Sequence, residues 1–194
     1  MFRKKDTKKE FWDWFVKNKT KLEEFIKSDN RDFLIYNQLT NKLQGFNKLI
    51  FPEITIDEND NFVLIITPDG IKEGMIPTKE IVDSAPFVDN WVIKKYRQAT
   101  DKMDLNFNEL EFKYEDIKIW RKFNIEDVNV DIAVLIRNFN EKDTRFISLA
   151  FLYLDHILGE FNVLSRVGQI DFFGWDKLNA KIETIDLLSL RKEI

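Results

Sequence analysis

Cysteine is absent from this 194-residue chain, and histidine occurs once. The first absence removes disulfides, thiolate metal sites, iron–sulfur ligation and cysteine nucleophiles, and the second leaves no multi-histidine metal centre within one chain. Neither a metal nor a cofactor is therefore expected. Proline (4) and glycine (6) are scarce. No Pro/Gly/Ser-rich linker, internal repeat or low-complexity tract interrupts the sequence, so one unit spanning 1–194 is expected, with 1–48 as a helical hairpin and 49–194 as a sheet with packed helices. No apolar run approaches the ~18 residues that span a bilayer, and the basic N-terminus leads into charged amphipathic sequence without a signal-peptide core, which reads as cytoplasmic. Basic excess is missing too. Thirty Lys+Arg against 34 Asp+Glu give a net charge of -4, so no phosphate-neutralising footprint is present and no nucleic-acid partner is expected.

What is present is 44% apolar residues, 14% of all residues aromatic, and 33% charged residues, enough for a globular chain with a sizeable core. Thr7-Lys8-Lys9-Glu10 has the form of a capping box, and Phe11, Phe15, Leu22 and Ile26 recur at helical spacing behind it. A second helix starts near Asp29 or Asn30 and runs to Gly45. Beyond it the period changes to two. Strands are expected at 49–56 and 62–66 across a polar turn, then a helix at 77–85 and a strand at 91–98. An alternating stretch over 105–120 changes parity between Tyr114 and Ile117, as a bulge or tight turn at Glu115-Asp116 would produce. A strand at 128–137, a helix over 143–158 capped by Gly159, and a strand at 162–173 complete the pattern. These elements spell an α+β, mostly antiparallel sheet in the ferredoxin-like order β-α-β-β-α-β, preceded by the N-terminal helical hairpin.

Several recognised chemistries fail on spacing. Asp57-x-Asn59-x-Asn61 opens like a calcium loop, but Phe62 stands where glycine is needed and Pro68 where the bidentate glutamate belongs. Gly70 to Gly74 has neither the Lys-Ser/Thr of a phosphate loop nor dinucleotide spacing. No G-x-S-x-G or H-E-x-x-H occurs.

Five residues remain as binding candidates. Asp155 and His156, on an α-helical wheel, share an arc with Arg145 and Ser148 that faces away from the core, and Glu160 can reach His156 at i,i+4. The simpler reading is a cation placed at a helix C-terminus, where it is stabilised by the helix dipole. Arg97, between Tyr96 and Gln98, is the best single anion-binding candidate, against the plain reading of a solvent-facing strand residue. Trp12 stands close to Arg3, Lys4, Lys5, Lys8 and Lys9, so residues 1–16 can make a contact surface for a protein or for anionic lipid. Aromatic residues at this spacing also serve as core anchors. The expected function is a non-enzymatic interaction or ligand-binding protein, its partner a protein or a small ligand. An acidic compact domain also suits an immunity-like role against a basic partner. The alternative is a carboxylate-dependent hydrolase or transferase using Asp155, His156 and Glu160.

The segments Phe11-Trp12-Asp13-Trp14-Phe15, Thr67-Pro68-Asp69-Gly70-Ile71-Lys72-Glu73, Ala85-Pro86-Phe87-Val88-Asp89-Asn90-Trp91, Tyr96-Arg97-Gln98 and Leu154-Asp155-His156-Ile157-Leu158-Gly159-Glu160 together resemble an uncharacterised family of small bacterial proteins. The resemblance runs through most of the chain in the same order. It implies a bacterial cytoplasmic protein and carries over no activity, cofactor or catalytic residue.

Overall fold

The apolar stripe that begins at Phe11 is helical and faces inward. In the computed structural model of the chain, which describes residues 7–101, 105–107, 110–124, 129–177 and 182–194, α1 spans Thr7–Lys27 and buries Phe11, Trp12, Phe15, Leu22 and Phe25. α2 spans Leu34–Gln44. It begins later than Asp29-Asn30 suggests, where the Asp32 side chain accepts the Leu34 N–H at 3.0 Å. Of the N-terminal basic residues, Arg3, Lys4 and Lys5 lie outside the described residues, while Lys8 pairs with Glu80 and Lys9 with Asp13.

β1 (Phe51–Ile56) and β2 (Phe62–Thr67) form an antiparallel hairpin with Phe51 opposite Thr67 and Ile56 opposite Phe62. The polar stretch between them is turn chemistry, since Asp57 Oδ1 accepts the N–H groups of Asn59 and Asn61, both at 2.9 Å. Those bonds, with Asn61 N–H foremost, hold the Asp57 carboxyl below its ordinary value. Asp69 and Gly70 then take positive φ (50° and 79°). α3 (Met75–Val82) carries the chain to β3 (Trp91–Lys95), which pairs parallel with β2. β3 stops short of 98 because Tyr96 adopts φ 62°, which ends an extended strand. The core of this part is built from Phe11, Phe15, Leu39, Leu64, Ile81 and Trp91 with their neighbours.

The C-terminal half repeats the plan. β4 (Leu105–Phe107) and β5 (Leu110–Phe112) make a short antiparallel pair. A 3₁₀ turn at Tyr114–Asp116 sits where the alternation changes parity. β6 (Ile117–Asn124) pairs antiparallel with β7 (Asn129–Ile136). The crossover consists of α4 (Arg145–Leu154), a π-helical turn (Asp155–Gly159) and α5 (Glu160–Arg166), and it leads to β8 (Val167–Gly174), parallel to β7. The strand expected from 162 therefore starts five residues late. Ile185 then bridges to Ile119, and α6 (Leu187–Glu193) closes the core made by Ile119, Ile132, Val134, Leu149, Tyr153 and Ile157. By length and composition Arg145–Arg166 can cross a bilayer. It is mostly buried, and Gly159 at φ 84° breaks it.

Contacts gather in two compact units, Met1–Tyr96 and Arg97–Ile194, where the sequence suggests one. The class is α+β with an N-terminal helix pair, but the ferredoxin-like order is not what the strands adopt. Among the described residues they form two separate three-stranded sheets, β1-β2-β3 and β6-β7-β8, each with one antiparallel and one parallel pair, besides the β4-β5 ribbon. The physical reason lies in the crossovers: a parallel neighbour needs a connection of about a dozen residues or more, usually a helix. Each unit uses its helix to bring a third strand back to its own hairpin.

Candidate functional site

Arg97, Asp155 and Glu160 come together inside the second unit. Arg97 Nη1 donates to Asp155 Oδ2 at 2.8 Å and lies 3.9 Å from Glu160 Oε1. Glu160 Oε2 accepts the backbone N–H of Arg97 at 3.0 Å, and Glu160 N–H donates back to the Arg97 carbonyl at 3.0 Å. Arg97 and Asp155 are 8% and 7% exposed and Glu160 has no exposed surface. Charges are taken out of water at this level only when paired and hydrogen-bonded, and here one guanidinium faces two carboxylates, of which Glu160 also accepts a main-chain N–H.

The π turn explains why Asp155 is buried although an α-helical wheel turns it outward. A π turn widens the helix beyond 3.6 residues, so an α-helical wheel does not fix the facing of Asp155 and Glu160. The same widening frees carbonyls from the helix ladder. His156 O accepts Thr100 N–H at 2.6 Å and Thr100 Oγ1 at 3.0 Å. Arg191 Nη1, from α6, donates to Ile157 O at 3.2 Å and to Thr100 O at 2.7 Å. Gly159 closes the turn at φ 84°, and a Cβ there would stand 3.3 Å from the Ala99 nitrogen. Residues 97–101 are thereby fastened along the π turn from both sides.

For chemistry this arrangement offers little. A general base must come within about 2.6–3.2 Å of the proton it takes. Glu160 has no accessible surface, and Asp155 is held by a buried guanidinium. Of the triad considered for a hydrolase, only the half-buried His156 retains partial exposure, and its main-chain carbonyl is committed to Thr100. Glu160, which a wheel pairs with His156, is joined to Arg97. Among the described residues no three His, Asp or Glu side chains gather as metal ligands.

Trp12 is a core group. It is 3% exposed and packs against Phe11 and Phe15 at ring distances of 4.7 and 5.7 Å. Its indole N–H donates to Ile81 O at 3.0 Å and to Ser84 Oγ at 3.2 Å. The Trp12 ring is therefore not part of a solvent-facing contact surface.

A second feature, absent from the sequence reading, lies on the outer face of β6-β7-β8. The pairing aligns Trp120, Ala133 and Asp171 in one row across the sheet and Lys118, Leu135 and Phe173 in the next. All of these except Lys118, with Glu141, Lys177 and Ile182, border a groove of about 520 Å³. Trp120 and Phe173 are 39% and 41% exposed. The signal in the sequence was the parity: Trp120 and Phe173 stand out of phase with the core residues Ile119 and Phe172. Thr100 and Arg191, which fasten the π turn, were also missed, whereas Gly159 was marked as a helix cap by its local signal.

No protein-family model matches the chain, and no curated protein matches it.

Proposed function

We propose that the chain is a non-enzymatic, cytoplasmic binding protein in which the Arg97–Asp155–Glu160 cluster is scaffold and the contact surface is the outer face of β6-β7-β8. The observation that carries this reading is the pairing of Arg97 with both carboxylates in a place largely closed to water, with part-exposed rings on the outer side of the sheet. Large aromatics at a partly open surface are the groups that anchor binding, whereas catalytic carboxylates need access to a substrate.

The test uses purified full-length protein against model esters, phosphoesters and glycosides, beside its Asp155→Asn variant. The expected result is turnover at background for both proteins, with the variant unfolding at lower urea. Turnover by the parent that disappears in a folded Asp155→Asn variant contradicts the proposal and restores the hydrolase alternative.

A further inference from the structure

The groove on β6-β7-β8 differs from its surroundings in how its rings and charges are paired. A neighbouring ring, Trp175, has its cations already. Lys118 Nζ lies 4.6 Å from that ring's centroid and the Arg137 guanidinium 4.1 Å, while its indole N–H donates to Leu135 O at 3.0 Å. Among the described residues Trp120 and Phe173 have neither a stacking partner nor a cation over the ring. The carboxylates show the same contrast. Among the described residues, Asp171 accepts from Gln169 Nε2 at 2.8 Å but is joined to no cation, and Glu141 has no hydrogen-bond or ion-pair partner. Lys177, the one basic residue of the lining among the described residues, lies 3.8 Å from Asp176.

The floor is equally specific. Ala133 is the smallest side chain of its row, set between Trp120 on one strand and Asp171 on the other. Adjacent strands lie about 4.8 Å apart, so roughly 10 Å separates the two outer strands across that alanine, the width of a fused ring. A volume of about 520 Å³ falls in the range typical of small-molecule sites. Uncovered aromatic faces attract cations, and carboxylates at the rim of an apolar groove do the same.

Resting on the binding reading above, we infer that this groove takes a small apolar organic amine, its ring system lying over Ala133 beside Trp120 and Phe173 and its ammonium group directed to Glu141 and Asp171. Anionic ligands of the same shape are disfavoured by the two carboxylates.

Isothermal titration calorimetry on the full-length protein tests this with three probes of similar shape: tryptamine, neutral 3-ethylindole and indole-3-propionate. Tryptamine binds at one equivalent, 3-ethylindole about tenfold more weakly and the carboxylate more weakly still, as a cation–π contact and a rim ion pair together predict. Glu141→Gln weakens tryptamine about threefold and leaves 3-ethylindole unchanged, since rim charges act on the charged probe alone. Ala133→Phe fills the floor and abolishes all three. Indole-3-propionate binding as tightly as tryptamine, or tryptamine indifferent to Glu141→Gln, overturns the amine assignment while leaving a binding protein. A folded protein that takes none of the probes also overturns it. Asp155-dependent turnover overturns the underlying reading instead, so the two failures are distinguishable.

Discussion

Gly159 takes φ 84° and ψ 131°, a conformation that side chains resist, and its Cα faces the Ala99 backbone. Gly159→Ala is expected to destabilise the protein by about 1–3 kcal/mol, combining backbone strain with the close approach. Chemical denaturation measures this, and an unchanged midpoint would show that the π turn relaxes without cost. Thr78 is the reverse case. Its hydroxyl is fully buried and has no hydrogen-bond partner among the described residues, so Thr78→Val removes a desolvated polar group while keeping the shape. That variant should gain up to about 1 kcal/mol, and a clear loss would reveal a partner for the hydroxyl. At this scale the sequence was a partial guide. It marked Asp155, Glu160 and Arg97 as unusual but assigned them to the surface. Burial of the three depends on a segment 58 residues away from Asp155, joined by the Arg97 contact, and no local pattern reports that.

Among the elements, α1 and α3 carry the clearest consequences. Trp12 joins them through Ile81 and Ser84. Trp12→Ala should cost about 3–5 kcal/mol as a core truncation. Truncating an exposed contact residue would change the unfolding free energy, measured in urea, by less than about 0.5 kcal/mol. At the C-terminal end of α3, the Asp83 carboxylate meets Lys79 of that helix and, at 2.8 Å, Lys95 of β3. The Lys79 bond first, and then Lys95, hold its pKa at about 2, against 3.8 for the free group. A depressed acid contributes stability that is complete above 3.8 and fades as pH falls through about 2. The melting-temperature gap between the parent and Asp83→Asn is therefore expected at neutral pH and should close over that acid window. A gap that persists at pH 1 would exclude the ion pair as its source. Element reading succeeded where the period was long and clean. α1, the β1-β2 hairpin and β7 lie close to their predicted bounds, and the parity change after Tyr114 marks a real turn. It failed at 160–166, where a two-turn helix carries its buried side chains at Glu160, Val163 and Leu164, too short a run to separate from an alternating strand.

Across the whole chain, the two units share a plan that residue identities conceal. Each is an antiparallel hairpin, then a helical crossover, then a strand parallel to the second hairpin strand. No sequence repeat announces this, because hairpins and crossovers depend on hydrophobic period and connection length more than on particular residues. The α+β class follows from those periods, whereas the partition into two sheets rests on which strands meet. The functional account has the same structure: scarcity of reactive side chains was legible, and the distinction between scaffold and surface was not. Its central claim is that the Arg97–Asp155–Glu160 cluster holds the second unit together. A double-mutant cycle on Arg97→Met and Asp155→Asn, read by urea denaturation, tests it directly. Arg97→Met alone is expected to lose about 3–5 kcal/mol, because it leaves carboxylates buried without their cation. The two positions are expected to couple by about 2 kcal/mol or more. Single variants within about 0.5 kcal/mol of the parent, and no coupling, would contradict it.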